Sequence, residues 1–476
     1  MTYRKEACFL CKYSKNHRAK AIPKAQSIKK RIRNFPIFAP MRGTIKIPVS
    51  NSNSLAVQLT RWAKKERYAI VLQSNGYDYK NGFQNSLRKY DVLAAFGAEE
   101  VICPEQDSLN QLKPQLNRHD WLFGYLGYDL KNELENLTSS NFDGLHFSNL
   151  LFFRPQVVFA VSDNTLSIHY LKKRYNRQTA GSLYDAIMAA PKVDGNNDDK
   201  LKVESRFTKD EYLSTISGVL QHIQRGDIYE MNLCQEFYAQ NCKINPYETY
   251  NSLNAISPTP FSAFGKFYDK FLLCASPERY ITKFAEKVIS QPIKGTCRRA
   301  VTEQENLKLI ESLKNDPKER SENIMIVDLV RNDLSRIAVK GSVNVDELCG
   351  VYPFKQVNQM VSTISCSVNN DVNFVDIIKA SFPMGSMTGA PKVSAMKLIE
   401  KYERTKRGIF SGAVGYVDPQ GNFDFNVVIR SLLYNKKRRY LSFTVGGAIT
   451  SQSNPENEYN ECLLKANAIE QVLTSK

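Results

Sequence analysis

The sequence predicts a globular protein of mixed α and β structure, with strands and helices spread along one long chain. Three observations lead there. Of its 476 residues, 42% are apolar and 11% aromatic, ample for a sizeable core and incompatible with wholesale disorder. From Met41 onward, segments with the two-residue period of strands alternate with segments of helical period. No run of 18 apolar residues occurs, which argues against a membrane-spanning helix. At roughly 100–200 residues per domain, the length allows two or three domains or one large one.

The first forty residues stand apart. They carry eleven basic side chains and one acid, Glu6, and so hold most of the formal charge of +17. The charge of the remainder is ordinary for a soluble protein of this size. Nucleic-acid binding would rest on this tail alone, and the body shows no recognised binding module. Basic and acid-poor, the tail fits either an organelle transit peptide or a start assigned upstream of a chain that begins at Met41. Cys8-x-x-Cys11 with His17 lacks the fourth ligand of a structural zinc site.

The elements then follow in order. LAVQLTRWAKK (55–65) is amphipathic and predicts a helix, and YAIVLQS (68–74) a short apolar strand. LRKYDVLAAFGAEEV (87–101) predicts a helix punctuated by Gly97. WLFGYLGYDL (121–130) alternates aromatic residues with glycine, and QVVFAVSDNTLSIHYL (156–171) reads as two strands around an Asp-Asn turn. The polar stretch KVDGNNDDK (192–200) is the best linker candidate. It divides the chain into a basic extension (1–40), an N-terminal region (41–195) and a C-terminal part (200–476).

The chemistry clusters in that last part. All five histidines lie at or before His222, so a Ser-His-Asp or Cys-His mechanism there is excluded by composition. The ten cysteines show no disulfide rhythm and suit a reducing cytosol. FLLCASPERYITKFAEKVISQPIKGTCRR (271–299) reads as successive strands. Lys294 closes an apolar run there, where partial burial would lower its pKa and make it nucleophilic; the alternative is a solvated strand-end lysine. DPKERSENIMIVDLVRNDLSRIA (316–338) predicts a helix with an apolar stripe at Ile324, Val327, Leu334 and Ile337, and with Glu319 and Glu322 near its start.

A second acidic helix begins at Asn454-Pro455 and sets Glu458, Glu461 and Lys465 on one face. Carboxylates on two helices suit a shared hard cation such as Mg2+, or simply favour the helix N-termini. Between the two helices, GSMTGAPK (385–392) forms a glycine-bracketed loop before a helix. It is either an anion site or a tight structural turn, and it lacks the ending of a phosphate-binding P-loop.

Taken together, GDIYEMNLCQEF (226–237), SPERY (276–280), QPIKGT (291–296), ENIMIVDLVRNDLSRIA (322–338), GSMTGAPK, RGIFSGAVGY (407–416), GNFDFNVVIRS (421–431) and NEYNECLLKA (457–466) resemble the chorismate-utilising enzyme family in content and order. The FGYLGYD stretch extends the match weakly into the N-terminal region. The resemblance implies an α+β fold of large antiparallel sheets with surrounding helices. Within the family, PIKGT resembles the aminodeoxychorismate synthase branch, whereas anthranilate synthases typically read PIAGT. Isochorismate synthases carry a lysine base in the segment aligned with EMNLCQ, where this chain has Glu230.

That likeness implies a transaminase-class transferase making 4-amino-4-deoxychorismate from chorismate and ammonia, toward 4-aminobenzoate and folate; the alternative is an anthranilate synthase. It also implies roles. Lys294 attacks chorismate, and Glu278 protonates the leaving hydroxyl. Mg2+ is held by Glu322 and Glu461. Gly295, Thr296, Phe410, Arg430, Gly446, Gly447, Ala448 and Lys465 bind substrate, with Lys392 a further charge-balancing candidate. Phe410 stands where the family usually has tyrosine, and Gln359 where relatives often have histidine. Pro260-Phe261-Ser262 lies where relatives bind tryptophan. The chain has no elbow cysteine with a downstream histidine, so the expected ammonia source is a separate glutamine amidotransferase subunit. Nucleic acid and membrane are not expected partners, and the expected location is cytoplasmic.

Overall fold

Residues 41–77, 89–193 and 201–474 are described by a computed structural model. The basic extension, its Cys8, Cys11 and His17, and most of the linker candidate 192–200 lie outside the described residues. Arg42–Lys476 forms one unit. Among the described residues, no helix is long and apolar enough to cross a membrane.

The strands join one winding sheet, and every ladder between the described strands is antiparallel. Pairing runs from Glu230–Ala239 through Tyr440–Ile449, Ser431–Asn435, Lys270–Ser276 and Phe261–Phe267. It crosses Tyr68–Gln73, Val92–Ile102 and Leu150–Ser162 of the N-terminal region. It returns through Leu122–Leu126, Ala413–Val417, Phe423–Asn426, Arg279–Phe284 and Lys287–Gln291. It ends on Val357–Ser367, which pairs with Ile293–Arg298. The first and last strands of this path carry Glu230 and Lys294, whose charged ends stand 2.8 Å apart. The sheet curls until its extremities meet, and that junction is where the chemistry gathers.

Both faces of the sheet are covered. In Glu230–Ala239, Met231, Leu233 and Phe237 point into one apolar core and Cys234 into another, as the two-residue period requires. Helices Ser52–Trp62, Lys209–Gln224 and Pro455–Thr474 seal the first core. Helices Pro317–Ser335 and Phe374–Ser381 line the second.

Two expectations are corrected here. The segment expected as a helix over 87–101 is the strand Val92–Ile102. Its Leu-Ala-Ala run favours helix locally, but ladders on both sides bury Val92 to Gly97. Two-sided pairing therefore overrides propensity. Gly97, at φ +66°, precedes the register shift between Ala98 and Glu100. The helix expected at 316–338 spans Pro317–Ser335 and is capped by Asp316, which accepts the Glu319 N–H at 2.9 Å. Its buried face holds Glu322, Asn323, Ile326, Val327, Val330 and Leu334, while Ile324 is exposed. The apolar pattern missed this face because it begins with two polar residues.

Candidate active site

Lys294 sits on the edge strand Ile293–Arg298 at a register irregularity between Ile293 and Thr296. Gly295 beside it takes φ +94°, and a Cβ there would lie 3.0 Å from Glu319 Oε2. Only glycine lets the strand turn so close to the acidic helix. Asn323 of that helix donates to the Lys294 carbonyl at 3.2 Å and accepts the Ser362 hydroxyl. The lysine backbone is thereby tied to the element that bears Glu322.

Glu230 is only 1% exposed. The GSMTGAPK segment holds its backbone, Ala390 pairing with Glu230 and the Tyr229 N–H donating to the Ala390 carbonyl at 2.7 Å. Gly389 lies so close that a Cβ would stand 2.1 Å from the Glu230 carbonyl oxygen. The glycine is therefore obligatory at this crossing.

The electrostatics correct the expectation for Lys294. Burial alone would lower its pKa, but the Glu230 carboxylate above all, with Glu322 and Glu278 adding smaller pulls, holds it above the ordinary lysine value. The resting site therefore contains an ammonium and not a free amine. Glu278, 3% exposed, shows the opposite balance. Burial pushes its carboxyl up to about 7, only partly offset by Ser386, the Ile293 backbone, Lys294 and Arg430. It is a carboxyl that holds a proton near neutral pH. Arg430, in the left-handed region at φ +50°, is pulled down to about 10 by burial, against the pull of Glu278.

The two acidic helices meet through Lys318, whose Nζ is 3.8 Å from Glu322 and 3.9 Å from Glu458. Burial, with Glu230 and Glu319 nearby, pushes Glu322 up to about 7 against Lys294 and Lys318. Glu461 is exposed and pairs with Lys465 at 2.7 Å, and Lys465 also donates to the Gly446 carbonyl at 2.9 Å. The Gly446–Ala448 stretch pairs with Asn232–Cys234, next to the Glu230 end of that strand. Thr296 is exposed beyond Lys294, and Phe410 is buried in the apolar core. Lys392 proves unavailable for substrate: its ammonium is committed to Asp333 and to the Ser381 carbonyl.

Three buried acceptors, Glu230 Oε2, Glu322 Oε1 and Gln359 Oε1, have no hydrogen-bond partner among the described residues. Buried acceptors without donors are costly unless a ligand supplies them. With Arg430 and Lys294 as the positive side, this cluster suits a small anion that also carries hydroxyl or N–H donors.

The model of the chorismate binding enzyme family matches residues 69–471. The chain belongs to that family. Against aminodeoxychorismate synthase component 1 of Escherichia coli (strain K12), identity is 39% over 266 residues, covering 56% of this chain and 58% of that protein. Against the probable chloroplastic aminodeoxychorismate synthase of Oryza sativa subsp. japonica, identity is 34% over 387 residues, covering 74% of this chain and 43% of that protein. The chain thus spans about half the length of these curated relatives. The crystal structure of anthranilate synthase component I from Streptococcus pneumoniae TIGR4 superposes with a TM-score of 0.68 at 22% identity, covering 94% of this chain and 95% of that one. It shares the α+β fold with its large antiparallel sheet.

For this chorismate binding enzyme, sequence reasoning noted Glu230 but gave it no role, because its partner comes from the opposite end of the sheet. Asn323 was missed as well. The available signal was a polar residue inside an otherwise apolar helix stripe. Pro260, Phe261 and Ser262 line a separate pocket with Leu72, Tyr90 and Arg279. Among the described residues, no three His, Cys, Asp or Glu side chains already converge on a cation position. Glu322 Oε1, buried and without a hydrogen bond, and its carboxylate neighbours still fit Mg2+, which takes one or two carboxylates and completes its shell with substrate oxygens and water.

Proposed function

We propose that this chorismate-utilising enzyme is an aminodeoxychorismate synthase component I, converting chorismate and ammonia to 4-amino-4-deoxychorismate. The observation that carries the reading is one cluster that joins a largely buried lysine, a buried carboxyl protonated near neutral pH and a partly buried guanidinium. Residues 200–476 supply every group, and the 41–195 region completes the sheet that positions them.

In this reading Arg430, with the backbone of Gly446, Gly447 and Ala448, holds the substrate carboxylates, and Lys465 lies beside them. Gly295 and Thr296 shape the approach to Lys294, and the Phe410 ring supplies an apolar wall. Lys294, as the free amine, forms a bond to C2 while Glu278 gives its proton to the departing C4 hydroxyl, which leaves as water. A carboxyl near pH 7 is well matched to that task. Ammonia then adds at C4 and the C2–lysine bond breaks. Glu322 and Glu461 would hold Mg2+, which when bound neutralises the ring carboxylate and makes the diene more electrophilic.

Ammonia comes from a glutamine amidotransferase subunit, so the net transfer of an amide nitrogen is that of a transaminase-class transferase. The test is purified protein with chorismate, Mg2+ and ammonium, with products separated chromatographically. The expected product is 4-amino-4-deoxychorismate. Fluorescent anthranilate would instead establish an anthranilate synthase.

A further inference from the structure

We propose that Glu230 is the proton acceptor that converts Lys294 into a nucleophile, an inference that rests on Lys294 being the attacking amine. The attack needs a neutral lysine, yet the site holds a charged one, so something within reach must take the proton. Among the described residues, Glu230 is the only side chain at ion-pair distance from the Lys294 ammonium, with Oε1 at 2.8 Å. Its second oxygen is buried without a hydrogen-bond partner, so among the described residues no other donor competes for that oxygen.

The other acids facing Lys294 are placed for different work. Glu278 holds a proton that the leaving group needs. Glu322 and Glu319 on the helix Pro317–Ser335, and Glu461 on the helix Pro455–Thr474, act on Lys294 electrostatically and make no ion pair with it. Lys318 and Arg430 are the nearby cations, set against Glu322 and Glu278.

The geometry is fixed from both sides. Asn323 anchors the Lys294 carbonyl, and the Gly389-Ala390 crossing anchors the Glu230 backbone. The two partners therefore need no rearrangement for a proton to pass.

The steps balance. One Nζ–H bond breaks and its proton moves to Glu230 Oε1, leaving a neutral amine and a neutral carboxylic acid. The amine lone pair bonds to C2, the ring π electrons shift, and the C4 oxygen leaves as water with the Glu278 proton. Ammonia adds at C4, the C2–N bond breaks, and its electron pair returns to Nζ. The new C4 ammonium passes a proton to Glu278, and Lys294 recovers its own from Glu230.

The experiment measures formation of the lysine–substrate adduct by intact-protein mass spectrometry, with chorismate and Mg2+ but no ammonia. Omitting ammonia removes its own titration from the profile. Glu230→Gln is expected to slow adduct formation at pH 7.5 by about 100-fold or more, the usual worth of a positioned base. Its rate then climbs with pH toward the Lys294 pKa, which falls once Glu230 is gone, as solvent base replaces the missing acceptor. Glu230→Asp keeps a carboxylate and is expected to show the wild-type pH profile at a reduced rate. Adduct formation in Glu230→Gln at the wild-type rate and pH dependence would overturn the proposal. So would a folded Glu230→Asp whose rate follows the Glu230→Gln pH dependence. Lys294→Ala separates the two ideas: turnover without Lys294 removes the nucleophile reading itself, whatever Glu230 does.

Discussion

Two lysine–carboxylate pairs in the C-terminal half of the chain behave oppositely. Lys392 pairs with Asp333 and also donates to the Ser381 carbonyl, so its ammonium is shared between two acceptors. Burial is the largest influence on it and leaves its pKa below the ordinary lysine value despite Asp333. Lys294 meets one acceptor, Glu230, whose other oxygen is unpartnered, and a surplus of carboxylates holds its pKa up. The first pair is closed and braces the helix Lys392–Tyr402 against the helix Pro317–Ser335. The second is left unfinished. Buried ion pairs gain little net stability over apolar packing, so an incompletely satisfied one is better explained by what it binds.

The most severe way to test that contrast is to remove each lysine. Lys294→Ala should lower turnover by about a thousandfold or more, as expected for a nucleophile acting in a unit. It should also cost stability, because Glu230, 1% exposed, is left without its charged partner. Lys392→Met should cost stability alone. Leaving Asp333 buried and unpaired costs about 3–5 kcal/mol, read from urea unfolding, while turnover per folded molecule stays near wild type. If Lys392→Met abolishes turnover in folded protein, the two pairs are not the opposites described.

How much of this contrast is legible in the sequence depends on range. The helices Pro317–Ser335 and Pro455–Thr474 are readable because caps and periodicity are local signals. Lys294, Glu278 and Glu322 stand out through motif order. What is not legible is pairing across the curled sheet. Lys294 on its own strand looks like a lysine whose pKa burial would lower, and only the arrival of Glu230 from the far end reverses that. The strand Val92–Ile102 escapes for the same reason, since partners on both sides override its helical composition. Ile324 and Asn323 show the limit of an apolar pattern: the face toward Lys294 is partly polar because the site needs it so.

Glu278 sharpens the comparison from a third side, as a buried carboxyl with no lysine hydrogen-bonded to it. Its pKa rises from 4.5 to about 7 through burial. The folded chain therefore holds the proton more tightly than the unfolded one. The stability this contributes is fully present below pH 4.5 and is lost as the pH rises through 7. The gap corresponds to about 3 kcal/mol. Glu322, also pushed to about 7, titrates in the same window with the same sign. The informative quantity is thus the difference between wild type and Glu278→Gln, in urea unfolding from pH 4.5 to pH 8 with EDTA present. The Gln variant should show the shallower decline. Parallel curves would mean that Glu278 is ionised throughout, and would remove it as the acid.

The smallest expected effect tests how Lys294 is kept unfinished. Lys392 is anchored through its ammonium, whereas Lys294 is anchored through its backbone carbonyl, by Asn323 at 3.2 Å. That choice leaves the Lys294 ammonium free to serve one partner. Asn323→Ala removes the anchor and strands the Ser362 hydroxyl and the Lys294 carbonyl, at a cost of about 1–3 kcal/mol. With the lysine less well held, kcat should fall by about tenfold, a modest share of what misplacement of a reacting group costs. KM for chorismate should change little, since Asn323 touches no proposed substrate-binding residue. A fall in stability with kcat unchanged would make Asn323 an ordinary core amide. A matched fall in kcat would show that the freedom of the Lys294 ammonium is held in place by its backbone.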